Sequence, residues 1–216
     1  MQPFQKGARV RLSDKAYRLI RHKIITLELS PKTPIDEQAL MQDLQLGRTP
    51  IREGLQRLAA EGLVFLAPRR GMFVSEISIT DLQKVFELRL VLEGFSARLA
   101  AERATEAQLA AMEGLIRQLD QTSDGDGKAL MAIDEQFHEL LYQAADNELL
   151  ADTLRRLHAQ SFRIWHLVLD RIGSVRHAME QHIAITRALE ARDADLAEVL
   201  VQEHVSEFQQ QIKASL

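Results

Sequence analysis

The sequence predicts a mainly α-helical protein with two parts: an N-terminal winged helix-turn-helix, built from three helices and a β-hairpin, and a C-terminal antiparallel bundle of six to seven helices. Three observations support this. Only 5% of the 216 residues are aromatic, and Ala and Leu are abundant, which favours helices over sheet. Residues 13–77 follow the order helix, helix, turn, helix, hairpin. From Thr80 onward the apolar residues keep a helical spacing. We therefore expect domains at 1–77 and 78–216.

The N-terminal helices are predicted from their start and stop signals. The first covers residues 13–27 with Ser13 as its N-cap, and prolines in the following segment prevent its continuation. The second covers about 36–44. The third has Thr49 as N-cap and Pro50 as first helical residue, and it ends before Gly62. The stretches LVFLAP and GMFVSEI then form the hairpin, joined by a basic turn.

The C-terminal part divides into helices at capping and breaking residues. Thr80 to Gln83 and Thr105 to Gln108 are capping-box patterns, and Gly173 marks a later break. Short connections imply antiparallel neighbours in a bundle. The predicted helices cover about 80–103, 105–121, 128–145, 147–170, 174–192 and 195–214.

Composition and charge restrict the class of protein. The chain has no cysteine, so disulfides and thiolate metal sites are excluded. No apolar run approaches the roughly 18 residues of a membrane span, and the N-terminus lacks the apolar segment of a signal peptide, so a cytoplasmic location is expected. Residues 1–75 contain 13 Lys and Arg against 7 Asp and Glu, whereas the rest contains 14 against 24. This asymmetry indicates that only the first part meets a polyanion.

A continuous set of motifs runs from Ile35 to Val74. It comprises IDExxL, RTPIREGL, RL, EGLV and PxxGxxV, in that order. The segment resembles the GntR family of bacterial regulators, which implies a DNA-binding winged helix-turn-helix. Gly47 stands where a serine is usual in that family.

The positions of the basic residues agree with DNA binding. Contacts to bases and phosphates should come from the first turn of a recognition helix, where Arg48, Thr49 and Arg52 lie. Arg57 lies further along the helix and is a candidate for a phosphate contact. At the wing tip, Arg69 and Arg70 could reach the DNA backbone or minor groove, and Gly71 permits a close approach. By resemblance, Arg48, Thr49, Arg52 and Gly71 match family positions that contact DNA. The alternative is that these arginines only solvate an exposed surface.

The region from Thr80 to the C-terminus resembles the FCD domain, the helical effector domain of the FadR-type branch of GntR regulators. The resemblance rests on ELRLVLE at Glu87 to Glu93, DEQFH at Asp134 to His138, ADNELL at Ala145 to Leu150, and the later His182 and His204. It implies a helical domain that binds a small ligand and mediates dimerisation.

The resemblance implies that Asp134, His138, His182 and His204 bind a divalent metal ion. Asp134 and His138 are four residues apart and so share one helix face. His182 and His204 lie in two later helices, so the four side chains could meet inside the bundle. Nitrogen and oxygen donors without sulfur suit Zn, our first choice, and also Ni, Mn or Fe. An ordinary i,i+4 polar pair is the alternative. The remaining histidines, His22, His158, His166 and His177, are treated as ordinary core or surface residues.

Arg89 is the candidate effector-binding residue. It falls within an apolar helical stripe, where a buried charge must be paired. One interpretation is a structural salt bridge with Glu93; the other, implied by the FCD resemblance, is a bidentate clamp on the carboxylate of a small organic acid. Gln160 and Arg163 lie near the interior edge of their helix and are further candidates.

Together these features predict a homodimeric, metabolite-responsive repressor that binds double-stranded DNA at a palindromic operator. An organic acid entering the metal-centred pocket would release it from DNA or re-position it there. The alternatives are a structural metal or none, and a metal-dependent hydrolase. Because no general base or substrate-orienting motif accompanies the metal ligands, we do not expect an enzyme.

Overall fold

A computed structural model describes residues 11–169 and 176–216. The chain divides into two compact units, Met1–Ile77 (unit 1) and Ser78–Leu216 (unit 2). Unit 1 contains α1 (Leu12–Ile25), α2 (Glu37–Leu44), α3 (Arg48–Ala60), β1 (Val64–Ala67) and β2 (Gly71–Val74). Unit 2 contains α4 (Ile79–Arg103), α5 (Glu106–Gln121), α6 (Gly127–Ala144), α7 (Glu148–Val168), α8 (Arg176–Glu190) and α9 (Ala194–Ser215). The described residues confirm the predicted fold class.

Unit 1 is built on the packing of α1 against α3. Buried apolar side chains of both helices, among them Ile20, Ile24, Ile51 and Leu55, form its core. Gly54 faces α1 so closely that a Cβ there would lie 2.9 Å from the backbone nitrogen of Tyr17. Glycine is therefore what lets the two helices approach.

The wing is an antiparallel hairpin in which Val64 pairs with Val74 and Ala67 with Gly71. Residues 32–35 pair along the other side of β2, with a bridge between Pro34 and Phe73. Gly71 has φ +91°, a conformation that only glycine adopts without strain, and Arg69 before it is also left-handed at φ +62°. Arg69 and Arg70 are both exposed to solvent in this hairpin turn.

Three predicted helix N-caps are wrong by two residues each. The N-cap of α1 is Arg11, so Ser13 lies inside the helix. The N-cap of α3 is Gly47, which has no side chain with which to cap, so Arg48 and Thr49 belong to the first turn and Pro50 is the third residue. Proline fits there because the first four N–H groups of a helix have no partner within the helix. Ser78, rather than Thr80, caps α4 by accepting a hydrogen bond from Asp81 N.

The second predicted capping box is confirmed. Gln108 N donates to Thr105 Oγ1, and Thr105 N donates back to Gln108 Oε1, at 3.3 and 2.9 Å. The predicted break at Gly173, with the adjoining ends of two predicted helices, lies outside the described residues.

Unit 2 is organised around the 25-residue α4, which packs along α9 and also contacts α6, α7 and α8. The α4 and α9 helices are antiparallel, because Gln83 contacts Gln209 whereas Arg98 contacts Asp195. One face of α4 is buried in the bundle. Another exposes Leu88, Val91 and Phe95, which are 52%, 61% and 44% exposed and which we call the α4 strip.

None of the described helices is both long and apolar enough to span a bilayer.

Candidate metal centre and DNA-contacting surface

The four predicted metal ligands meet inside unit 2. The α6 helix supplies Asp134 and His138 on successive turns, while α8 supplies His182 and α9 supplies His204. All four side chains are buried, and one ligand atom from each lies within 4.8 Å of the others. The structure therefore brings together four residues spread over three helices.

The closest donor atoms are spaced as ligands of one ion would be. Nε2 of His138 lies 3.3 Å from Nε2 of His204 and 3.5 Å from Oδ1 of Asp134, and Nε2 of His182 lies 3.4 Å from that oxygen. Two ligands bonded to zinc at about 2.0–2.1 Å in tetrahedral geometry stand about 3.4 Å apart. Both ring nitrogens of His182 are buried without a hydrogen-bond partner in the described parts of the chain. Such a nitrogen is costly unless something binds it, so the residues fit a metal ion.

The electrostatics of the cluster favour a cation. Burial, with His204 nearby, holds the pKa of His182 well below its usual value, and burial followed by the charge on His138 lowers the pKa of His204 to about 4. Both imidazoles are thus neutral, the form that binds metals. Burial also lowers the pKa of His138, but the carboxylates of Asp134 and Glu93 together outweigh it and raise the value to about 9. A metal ion at Nε2 of His138 would replace the proton on that nitrogen, next to Asp134, and leave the proton on Nδ1, next to Glu93.

Further side chains hold the ligands in place. Nδ1 of His204 lies 2.8 Å from Oε1 of Gln181, whose amide nitrogen donates to Glu207 at 2.6 Å. Because a carboxylate only accepts, the Gln181 amide nitrogen faces Glu207 and its oxygen accepts the Nδ1 proton of His204. This leaves Nε2 of His204 free to face the cluster. The His182 ring stacks on Phe137 with 4.0 Å between ring centroids.

Sequence reasoning missed His158. The sequence marks it only as an ordinary histidine, yet it is buried on α7 with Nε2 3.6 Å from Oδ2 of Asp134. The other oxygen of that carboxylate, Oδ1, is the one that His138 and His182 contact. Its helical spacing with the apolar residues Leu154, Phe162 and Trp165 is the sequence signal that it lies on the buried face of α7. Nothing in the sequence indicates that Asp134 is its neighbour.

Arg89 adopts the salt-bridge arrangement. Its Nε donates to Oε1 of Glu93 at 2.6 Å and its Nη1 to Oγ of Ser161 at 2.7 Å, and both charged side chains are buried. The other oxygen of Glu93 lies 3.2 Å from Nδ1 of His138. Arg89 is thus linked to the metal-ligand cluster through one carboxylate. Of the two further candidates, Arg163 is buried, whereas Gln160 is exposed, so its predicted place near the interior is wrong.

The predicted DNA-contacting residues are exposed on unit 1. Arg48, Thr49 and Arg52 lie in the first two turns of α3, and Arg69, Arg70 and Gly71 at the hairpin turn. Arg52 pairs with Glu37 through Nε at 2.8 Å. An exposed pair of this kind stabilises by about 0–1 kcal/mol, so it does not prevent Arg52 from turning to a phosphate or base.

Arg57 has partners within unit 1. Its Nη1 lies 2.7 Å from Oδ1 of Asp14, and its guanidinium lies 4.0 Å above the Tyr17 ring. Both contacts tie α3 to α1. Arg57 is therefore engaged with α1, although its ion pair, like that of Arg52, is exposed and stabilises by only about 0–1 kcal/mol.

Comparisons with known proteins agree with both parts. Residues 12–74 match the family described as bacterial regulatory proteins, gntR family, and residues 84–207 match the FCD domain. The HTH-type transcriptional repressor RspR of Escherichia coli K12 is 30% identical over 94% of this chain and 89% of its own length. The Nta operon transcriptional regulator of Aminobacter aminovorans is 31% identical over 87% and 88%.

Solved structures show the same fold. Escherichia coli McbR/YncC superposes with a TM-score of 0.79 at 23% identity, covering 95% of this chain and 96% of that one. A putative GntR regulator from Rhodococcus sp. RHA1 has a TM-score of 0.71 at 21% identity, covering 94% and 98%.

Proposed function

The chain belongs to the GntR family of bacterial transcriptional regulators and contains an FCD domain, and we propose that it is a homodimeric repressor whose DNA binding responds to a metal-bound organic acid. The observation that supports the sensing part most directly is the buried cluster of one carboxylate and three imidazoles inside unit 2. The relative named as a repressor, RspR, supports the direction of regulation.

Unit 1 would bind DNA with the N-terminal end of α3 in the major groove. Arg48 and Arg52 can bind guanine edges or phosphates, and Thr49 can donate to either. Arg69 and Arg70 would reach the flanking backbone or minor groove from the wing, where Gly71 adds no side chain. Arg57, held by Asp14, would add at most a phosphate contact.

Unit 2 would bind a divalent metal through Asp134, His138, His182 and His204, with zinc as our first choice and Ni, Mn or Fe as alternatives. Once bound, the ion would act as a Lewis acid that holds the carboxylate of a small organic acid. Arg89 is the proposed second contact to that acid, because it belongs to the same buried polar network as His138.

Two copies of the chain would be needed to bind a palindromic operator. The α4 strip offers a surface for the second copy, since Leu88, Val91 and Phe95 follow the spacing of one helix face and are exposed together.

Metal binding is tested by metal analysis after metal repletion and dialysis. The wild-type protein should retain about one ion per chain, and a His182→Ala variant should lose it because one buried donor is missing. His177→Ala removes a histidine from the same helix that is 68% exposed, and it should bind like wild type. A wild-type protein that retains no metal would contradict the sensing site. If metal is retained but no carboxylate raises the melting temperature, the metal is structural.

DNA binding is tested by selecting double-stranded DNA from a random pool. The wild-type protein should enrich a palindrome, and Arg52→Ala should weaken binding to that sequence by about 1–3 kcal/mol, the usual value of one bidentate base contact. Arg117→Ala, which removes an exposed arginine of α5, is the control. Equal affinity of Arg52→Ala and wild type would argue against α3 as the recognition helix.

A further inference from the structure

The buried Arg89–Glu93 pair extends directly to one metal ligand. Arg89 holds Oε1 of Glu93 at 2.6 Å and is itself fixed by Ser161, which it contacts at 2.7 Å. Oε2 of Glu93 is left 3.2 Å from Nδ1 of His138. That oxygen makes a close contact but no well-aligned hydrogen bond with the described residues.

The orientation of the His138 ring determines which of its nitrogens would bind a metal and which would donate to Glu93. Its Nε2 faces Asp134 and His204, at 3.5 and 3.3 Å, so a metal would bind there. A neutral imidazole bound through Nε2 carries its proton on Nδ1. Glu93 offers a carboxylate oxygen to accept that proton at 3.2 Å, whereas the Tyr142 hydroxyl stands at 3.5 Å. Metal-bound histidines commonly donate their second N–H to a carboxylate, which fixes the ring and increases its basicity.

The second imidazole of the cluster follows the same pattern. Nδ1 of His204 is held by the side-chain oxygen of Gln181 at 2.8 Å, so that Nε2 is free for the metal. His138 and His204, on different helices, therefore each have an acceptor for the proton on Nδ1. For His138, that acceptor comes from α4, which supplies none of the four candidate ligands.

We propose that Glu93 is a positioning residue of the metal centre: it accepts the Nδ1 proton of His138, and Arg89 keeps its carboxylate in place. The proposal rests on the proposed metal site. It also gives the Arg89–Glu93 pair a role beyond that of a buried salt bridge.

The test measures zinc affinity of the full chain by competition with a chromophoric chelator. Glu93→Gln keeps the shape but removes the charge, and it should bind zinc about 10–100-fold more weakly. Glu139→Gln is the matched control, since Glu139 follows His138 on α6 but pairs with the partly exposed Arg155. A double variant, Arg89→Met with Glu93→Gln, removes both buried charges and should show the same loss if the single variant does not fold.

An NMR measurement distinguishes the loss of the His138–Glu93 hydrogen bond from a general loss of folded structure. In zinc-loaded wild type, the Nδ1 proton of His138 should give a downfield NMR resonance, and Glu93→Gln should move it upfield while Glu139→Gln leaves it unchanged. Zinc affinity within about twofold of wild type in a folded Glu93→Gln protein overturns the proposal, as does an unmoved resonance. A wild-type protein that binds no zinc overturns the metal centre itself, and this role with it.

Discussion

Gly54 is a residue of unit 1 whose surroundings leave no room for a Cβ. It lies on the buried face of α3, where it meets the backbone of α1 at Tyr17 rather than a flexible side chain. A methyl group there would be 2.9 Å from Tyr17 N and 3.2 Å from Tyr17 Cα, distances that only a shift of one helix can relieve.

Gly54→Ala should therefore destabilise unit 1 by about 1–3 kcal/mol, the usual cost of overpacking. Hydrogen exchange of the α1 and α3 amides measures this, because the single tryptophan, Trp165, reports on unit 2. The control is Gly114→Ala on α5, where the nearest atom is an arginine side-chain nitrogen at 3.9 Å. That change should stabilise its helix by up to about 1 kcal/mol. If the amides of α1 and α3 exchange as slowly in Gly54→Ala as in wild type, the two helices move apart at little cost in free energy.

The residues around the candidate metal site also show which features of a site a single sequence does not predict. The four candidate ligands could be predicted because the family resemblance marks all of them, and the spacing of Asp134 and His138 places those two on one helix face. Glu93, Gln181 and His158 could not, because each acts on a ligand from another helix, and a single sequence does not give the rotation of one helix against its neighbour. Their positions become visible only once α4, α7 and α8 are packed around α6 and α9.

Among the elements, the order and type of the helices and of the hairpin could be predicted, whereas several helix starts could not. Ser13, Thr49 and Thr80 are all good N-caps by residue type, yet the chain uses Arg11, Gly47 and Ser78 instead. A cap is worth only about 1 kcal/mol, a free energy that other contacts of the first turn can outweigh. The start of α5 was predicted correctly because Thr105 and Gln108 support each other in one capping box.

The α4 helix presents two different faces. Its buried face holds Arg89 and Glu93 beside the candidate metal ligands, and its exposed face is the α4 strip. A helix that links a ligand site to a subunit interface could transmit binding from one to the other, provided that it has two arrangements with different affinities.

Val91→Glu should weaken dimerisation at least about tenfold, or about 1.4 kcal/mol, because association would bury an unpaired carboxylate. Sedimentation equilibrium over a range of concentrations measures the dissociation constant. Leu149→Glu places the same change on α7, at a residue 83% exposed, and should leave the dimer intact. A dimer that resists Val91→Glu would require another interface.

For the whole molecule, the division of charge matches the division into units. The basic residues 1–75 form nearly all of unit 1, and the acidic remainder forms unit 2. A polyanion is thus attracted to one unit and repelled by the other, while a cation is favoured in the second.

A metal that binds only the folded state should stabilise unit 2 by about 2.7 kcal/mol at a free concentration 100 times its dissociation constant. Thermal unfolding followed by Trp165 fluorescence, with and without zinc, measures this. His182→Ala should show no zinc-dependent shift. An equal shift in that variant would mean that zinc binds elsewhere.

The wide separation of the ligands along the chain has one more consequence. Asp134 and His204 are about 70 residues apart, so a bound ion would close a long loop that runs from α6 through α7 and α8 to α9. A covalent link across such a loop restricts the unfolded chain by on the order of 4 kcal/mol. A protein without cysteine would thereby have a reversible cross-link, one that is opened by acid or a chelator and left untouched by reductants.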